Sequence, residues 1–137
     1  MSIEKIVDDL IAAIVSRDAK AVGNMFAEDC VFAEIVGTGS IVYGKKATCE
    51  LWEKFFNDNS KDTANNKWDI QRKIINGNNA AVERISHFVF KDKKIVLEMV
   101  AIIEVDDNGK IKAFKDYGDS RAFIEQTGNE QGGKDGW

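Results

Sequence analysis

The stretch from Ala80 to Phe123 constrains the fold more than any other part of the chain. Apolar, strand-like runs occur within it at about 80–90, 95–105 and 110–117, separated by the polar turns 91–93 and 106–109. Another run, at 67–75, precedes it, and the Asn76-Gly77-Asn78-Asn79 segment between them is typical of a tight hairpin turn. Short polar turns between consecutive strands predict antiparallel neighbours, so this half of the chain should form a four-stranded meander.

Helical patterns dominate the part of the chain that precedes this meander. An apolar stripe over residues 3–15 predicts a first helix, and Asp18 is placed to cap a shorter second helix that reaches Phe26. A short strand at 30–36 follows, a third helix begins after Gly44, and the polar residues 57–66 after that helix should form a mobile loop. Helices that precede a block of strands predict an α+β fold.

The predicted sheet has to curve, because three helices cannot cover long strands that lie flat. We therefore expect N-terminal helices packed in a curved antiparallel sheet, forming a cone-shaped α+β barrel with a cavity at its open end. A chain of this length forms one domain, predicted over residues 1–126. The apolar periodicity then stops, so residues 127–137 are expected to form a flexible tail.

Charge and composition narrow the possible partners. A net charge of −4 without a Lys/Arg cluster argues against nucleic acid, because phosphate binding needs a concentrated basic surface. The first ten residues are amphipathic and acidic, unlike a targeting peptide, and no apolar run is long enough to span a membrane. Cys30 and Cys49 lack metal-ligand spacing and are expected to be reduced, buried thiols. These features predict a cytoplasmic protein.

Alternation along the strand at 80–90 separates its polar residues into two sets. Arg84, Ser86 and Phe88 share the more apolar face, so they should point into the cavity. His87, the only histidine, falls on the opposite face and should lie outside the cavity. A catalytic histidine is therefore not expected.

Two more strands bring carboxylates toward the same cavity. Phe32 and Glu34 share a face of the first strand, and Phe114 shares a parity with Asp116 on the last. Lys112 has that parity too, so the last strand needs a bulge, or an exposed end, if Asp116 is to face inward.

Glu34, Arg84 and Asp116 form the candidate catalytic group if these assignments hold. A buried guanidinium needs a carboxylate partner, and pairing with one acid leaves the other subject to desolvation and repulsion, which raise its pKa. We expect Asp116 to be the base, Glu34 the acid or a second base, and Arg84 the electrostatic clamp. The alternative is a structural ion pair between Arg84 and Asp116, with Glu34 reaching solvent at the cavity mouth.

The remaining wall of the cavity is expected to bind a small apolar molecule. The candidate substrate-binding residues are Phe32, Ser86, Phe88, Phe114, Tyr43 and Trp52. A single histidine and the absence of a cysteine cluster argue against a metal site, and no glycine-rich loop opens a helix to bind phosphate. No cofactor is therefore expected.

The order of elements and two short motifs resemble the nuclear-transport-factor-two-like superfamily, in its SnoaL-like and limonene-epoxide-hydrolase-like branch. The residues that carry the resemblance are Tyr43-Gly44-Lys45-Lys46-Ala47, Glu83-Arg84-Ile85-Ser86 and the run from Gly109 to Asp119. The resemblance covers about residues 3–124 and implies a cystatin-like cone fold. It also implies a cofactor-independent enzyme that acts by proton transfer.

Epoxide hydrolases of this branch use an Asp-Arg-Asp triad, with a Tyr and an Asn on the first strand to hold water. The Arg matches Arg84 and the basic Asp matches Asp116. The acidic Asp falls on Ser86, the Tyr on Phe32 and the Asn on Glu34. A serine cannot serve as the proton donor near neutral pH, so the chain departs from that mechanism at this position.

Two interpretations remain open from the sequence. One is a cofactor-independent enzyme whose reaction resembles epoxide hydrolysis, isomerisation or cyclisation. The other is a non-catalytic binding or dimerisation domain of the same fold. Both predict a homodimer formed through the open face of the sheet.

Overall fold

The computed structural model describes residues 2–35, 39–58, 66–90 and 92–128. The helices are α1 (Ile3–Val15), α2 (Ala19–Asn24), α3 (Lys45–Asp58) and α4 (Ser120–Thr127). The strands are β1 (Phe26–Ile35), β2 (Ser40–Tyr43), β3 (Lys67–Asn76), β4 (Asn79–Phe90), β5 (Lys93–Val105) and β6 (Ile111–Gly118). This is the predicted α+β order of elements.

The described strands form one curved, unclosed sheet in the order β2-β1-β6-β5-β4-β3. The predicted meander from β3 to β6 is antiparallel throughout, and the hairpin turn between β3 and β4 has Gly77 at φ +61°. The sheet is nevertheless mixed, because β1 runs parallel to β6. The chain between β1 and β6 contains β2, α3 and the strands β3 to β5. These two strands are therefore neighbours in the sheet although they are far apart in the sequence.

Side-chain caps fix the starts of three helices. The Ser2 hydroxyl accepts the Lys5 N–H at the start of α1, and the Asp18 carboxylate accepts the Ala21 N–H at the start of α2. Asp119 caps α4 in the same way. Each cap satisfies an N–H group that has no partner within the helix, so these polar residues set where the helices begin.

The core lies between the helices and the inner face of the sheet. Its main cluster joins Leu10 and Val7 of α1 and Trp52 of α3 to inward-facing strand residues such as Ile103 and Phe114. A smaller cluster surrounds Phe123 of α4 and includes Phe88, Phe90, Ile95, Leu97 and Met99. The helices therefore cover the strand faces that would otherwise line an open cone.

Several predicted boundaries differ from the structure. Helix α2 ends at Asn24, and Phe26 begins β1, where it pairs with Ile111 of β6. Helix α3 extends to Asp58 into the segment predicted to be a loop, and the rest of that loop, at 59–65, lies outside the described residues. Helix α4 extends one residue beyond the predicted domain boundary, whereas 129–137 of the predicted tail lie outside the described residues.

The predicted bulge in the last strand is present. Glu104 pairs with Ala113 and Val105 pairs with Ile111, so Lys112 has no opposite residue in β5. Ile111 is consequently buried while Lys112 is exposed. The extra residue changes the alternation of β6, which allows Asp116 to face inward.

Candidate functional site

Arg84 and Asp116 form a buried ion pair across the middle of the sheet. Arg84 on β4 lies beside Met99, and Asp116 on β6 lies beside Ala101, so both side chains leave the same face of the sheet on either side of β5. The guanidinium donates two hydrogen bonds, Nη1 to Oδ1 at 2.8 Å and Nη2 to Oδ2 at 2.7 Å. Each residue is only 3% exposed. This two-point geometry gives strong, directional pairing of a carboxylate with arginine.

Trp68 and Met99 hold the guanidinium from the sides. The Trp68 ring lies 3.6 Å from the Arg84 Cζ, close enough for a cation–π interaction. The Met99 Sδ lies 3.7 Å from Nη2. Because the flat face and one edge of the guanidinium are both in contact, its orientation toward Asp116 is fixed.

Glu34 supplies a second carboxyl group to the same site. It pairs with Asp116 in the parallel register of β1 and β6, and it is 6% exposed. Among the described residues its Oε2 has no hydrogen-bond partner. Burial, reinforced by the charge of Asp116 and opposed by that of Arg84, raises the pKa of Glu34 well above its ordinary value. The alternative in which Glu34 reaches solvent is therefore wrong, because the side chain is enclosed.

These three side chains line one cavity between the sheet and α3. The other lining residues are Ile14, Phe32, Leu51, Trp52, Phe55, Asn66, Trp68, Ser86, Phe88 and Met99. The space open to the centre of a water molecule is about 40 Å³. Most of the wall is apolar, so little water is present to screen the charges of Arg84 and Asp116.

Four of the six residues predicted to bind substrate line this cavity. Phe32, Ser86, Phe88 and Trp52 are all buried there. Phe114 is buried behind the wall instead, stacked on Phe32 with ring centroids 5.2 Å apart. It supports the wall without facing the cavity.

Tyr43 lies outside the cavity, which corrects its assignment as a substrate-binding residue. It is 72% exposed. In the antiparallel register it lies opposite Val31, whereas the cavity residue Phe32 lies opposite Val42. Residues directly opposite each other on paired strands point to the same face of the sheet. Tyr43 therefore shares the face of Val31, and its side chain points away from the face on which Phe32 lines the cavity.

Sequence reasoning missed the roles of Trp68 and Asn66. Trp68 pairs with Ser86 across β3 and β4, so the inward parity of Ser86 could have identified it once that pairing was known. Asn66 was placed in a mobile loop, yet it is buried and its side-chain amide donates to the carbonyls of Ile14 and Val15. Those carbonyls lie at the end of α1, so Asn66 satisfies groups that the helix leaves unpaired.

His87 lies on the outer face of the sheet, as predicted. Its Nε2 is 2.7 Å from Asp69 Oδ2 on the neighbouring strand. This contact is separate from the cavity residues.

Two other kinds of feature are absent from the described ranges. No group of three or more His, Cys, Asp or Glu side chains there is arranged to hold a metal ion. None of the helices described is both long and apolar enough to span a membrane.

Comparison with known proteins places this geometry in a family. The model of the SnoaL-like domain matches residues 7–114. An LEH-like epoxide hydrolase of M. tuberculosis aligns with a TM-score of 0.74 at 22% identity, over 89% of this chain and 86% of that chain. A Shewanella putrefaciens CN-32 protein, provisionally assigned as a SnoaL-like polyketide cyclase, gives 0.78 at 13% identity, over 93% and 87%.

A hypothetical protein of ketosteroid isomerase-like fold from Catenulispora acidiphila DSM 44928 gives a TM-score of 0.76 at 18% identity, over 90% of this chain and 92% of that chain. The TM-scores show a common fold, the predicted NTF2-like cone. The low sequence identities are no evidence of a common reaction. No curated protein matches the chain.

Proposed function

The chain belongs to the SnoaL-like domain family, and we propose that it is a cofactor-independent acid–base enzyme acting on a small, largely apolar molecule. The observation that carries this proposal is the unpartnered, buried Oε2 of Glu34 beside the Arg84–Asp116 ion pair. Burial raises the pKa of Glu34 and so favours its protonated form, while Asp116 forms an ion pair with the Arg84 guanidinium. One acid and one base then face the same apolar cavity at the same pH.

Asp116 is the proposed base. Each of its oxygens accepts one N–H from Arg84 and retains a second lone pair that can take a proton. Arg84 stabilises the carboxylate between turnovers and holds its plane fixed. Because the guanidinium is also stacked on Trp68, the base is oriented before substrate arrives.

Glu34 is the proposed acid and takes the place of the missing carboxyl group at Ser86. For an epoxide, Asp116 removes a proton from water while the water oxygen bonds to the epoxide carbon. The carbon–oxygen bond breaks, and the released oxygen takes the proton of Glu34. A proton then returns from Asp116 to Glu34, and the product is a diol. For isomerisation, Asp116 removes the proton from the carbon beside a carbonyl while the carbonyl oxygen takes the proton of Glu34; Asp116 then gives its proton to a second carbon as the enol O–H returns its proton to Glu34. For an aldol-type cyclisation, the carbon deprotonated by Asp116 bonds to a second carbonyl carbon, whose oxygen takes the proton of Glu34, and a proton then returns from Asp116 to Glu34.

The alternative interpretation is a non-catalytic ligand-binding or dimerisation domain. The observation that favours it is that Arg84 bonds both oxygens of Asp116, as a purely structural ion pair also does. That interpretation gives Asp116 no proton-transfer role, so the two differ in the effect of substitutions on turnover.

The test is a pH–rate profile of the purified protein on terpenoid epoxides, enones and polyketide-like ketones. We expect the rate to fall as pH rises through the raised pKa of Glu34, because the acid then loses its proton. Glu34→Gln and Asp116→Asn should each lower kcat by about 100-fold or more. Glu83→Gln is the matched control, since Glu83 is exposed on the opposite face of β4.

Turnover that survives both substitutions, in variants that remain folded, would overturn the acid–base assignment. Tight binding of one of these compounds without turnover, unchanged in Asp116→Asn, would favour the binding domain instead.

We also propose that the protein is a cytoplasmic homodimer formed through the outer face of the sheet. Both cysteines are free, as in proteins of reducing compartments, and this supports the cytoplasmic location. Val96, Ile102 and Tyr117 expose apolar surface on the outer face, and this supports the dimer. Light scattering should give a dimer mass, and Ile102→Lys should give a monomer. Asp107→Lys, in the turn after β5, is the control and should leave the dimer intact. A monomeric wild type would contradict the proposal.

A further inference from the structure

Trp52 presents an unused hydrogen-bond donor at the candidate site. It lines the same cavity as Glu34 and Asp116, is 6% exposed, and has no partner for its indole Nε1 among the described residues. Indole nitrogen can only donate. A buried donor without a partner is destabilising, so a ligand that accepts from it would account for this group.

The position of the indole ring is fixed by its neighbours. The Trp52 ring lies edge-on to Phe32 at 5.3 Å and to Phe55 at 6.0 Å, and tilted against Phe56 at 5.5 Å. Contacts on several sides hold the ring in one orientation, so little freedom is lost when its N–H forms a hydrogen bond.

Two further groups of the cavity can donate a hydrogen bond to a ligand, Arg84 Nε and the carboxyl of Glu34. Arg84 Nε is buried and has no partner within the described part of the chain. Neutral Glu34 presents an O–H, and the Asn66 amide is already committed to the carbonyls at the end of α1. A ligand that suits this set supplies hydrogen-bond acceptors and places its hydrocarbon against the phenylalanine rings.

We infer that the Trp52 indole N–H donates a hydrogen bond to an acceptor oxygen of the substrate, a carbonyl or an epoxide oxygen, and thereby selects for it over a hydrocarbon of the same shape. The inference rests on the proposed function, because it describes the substrate of the same site. Trp52 was expected to contribute only apolar wall, whereas here it also sets where the reacting oxygen lies relative to Glu34.

The test compares three probes of similar size: cyclopentanone, cyclopentene oxide and methylenecyclopentane. Dissociation constants are measured by NMR for the wild type, for Trp52→Phe, and for a variant with 3-benzothienylalanine at position 52, which keeps the ring size and lacks the N–H. Phe56→Leu is the control, because it loosens the same aromatic cluster without removing a donor and does not line the cavity.

We expect loss of the N–H to weaken binding of the ketone, the epoxide or both by roughly 2- to 12-fold, the range of a neutral hydrogen bond. Binding of methylenecyclopentane should change little, and Phe56→Leu should affect all three probes alike. The oxygenated probe that loses affinity identifies the substrate class. In the wild type that probe should also shift the indole proton signal that disappears in Trp52→Phe.

Equal weakening of all three probes in the benzothienyl variant would overturn the inference, as would binding of none of them by the wild type. If Trp52→Phe fails to fold, the benzothienyl variant still decides the question. The result is separable from the acid–base proposal, since binding needs no turnover. Suppose that the pH–rate profile falls as expected for Glu34 while loss of the Trp52 N–H leaves the relative affinity for the three probes unchanged. That result would reject the role of Trp52 and leave the acid–base proposal in place.

Discussion

Glu34 and Asp116 lie side by side on the parallel strands β1 and β6, and both carboxyl groups are more than nine-tenths buried. Only one of them is paired with Arg84. The second has no such partner, and its burial, reinforced by the charge of Asp116, raises its pKa well above the ordinary value.

Removing the charge of Asp116 should lower the pKa of Glu34. In Asp116→Asn the repulsion that raises this pKa is gone, and the positive charge of Arg84 loses its other partner. Both changes favour ionised Glu34. Carbon-13 NMR of the glutamate carboxyl carbons through a pH titration measures the effect, with Glu83→Gln as a control that should leave the Glu34 titration in place. An unchanged pKa would show that the two carboxyls do not interact.

Glu34→Gln should change how stability depends on pH. A folded-state pKa above the unfolded value means that the folded protein holds this proton longer, so stability is lost as pH rises through the raised pKa. The loss reaches at most about 1.4 kcal/mol per pH unit for one proton. Gln does not titrate, so the variant should gain stability relative to wild type as pH rises from about 4.5. Urea unfolding at a series of pH values measures this, and a difference that shrinks with pH would contradict it.

Arg84→Met should be strongly destabilising, because it leaves the buried Asp116 carboxylate without its partner. Breaking such a pair costs about 3–5 kcal/mol. The double variant Arg84→Met/Asp116→Leu should recover much of the loss, since no charge of the pair remains. Denaturant unfolding of the two single variants and the double variant gives the interaction energy. Simple additivity of the single effects would mean that the pair contributes no coupling.

Gly23→Ala should destabilise the contact between α2 and α3. A Cβ at position 23 would lie 2.3 Å from the Cys49 Sγ, well inside normal contact distance. Overpacking costs about 1–3 kcal/mol, against a gain of about 1 kcal/mol from the better helix propensity of alanine. Adding Cys49→Ala should restore the stability of Gly23→Ala, because it removes the clashing sulfur. Thermal unfolding of the three variants tests the contact, and failure of rescue would place the strain elsewhere.

Strand parity was sufficient to predict the central part of the site. Arg84 and Ser86 were assigned to the inner face from alternation alone, and the structure buries both. Asp116 could be included only by assuming a bulge or an exposed strand end, and the structure has the bulge, at the unpaired Lys112. These inferences succeed because one buried face imposes a period of two on each strand.

Cross-strand relationships were harder to predict, since they depend on partners distant in the sequence. The register that turns Tyr43 outward is set by its pairing with Val31, and no local pattern encodes that choice. Trp68 stacks on Arg84 only because β3 pairs with β4 in one register. The parallel contact between β1 and β6 was missed for the same reason.

The pairing of β1 with β6 also has a consequence for the order of synthesis. Glu34 leaves the ribosome early, and Asp116 follows only after all the intervening helices and strands. Until β6 joins β1, Glu34 lacks the neighbouring Asp116 charge that helps to raise its pKa. The acid role proposed for Glu34 therefore depends on the pairing of two strands that are far apart in the sequence, and such long-range pairing is a slow step of folding.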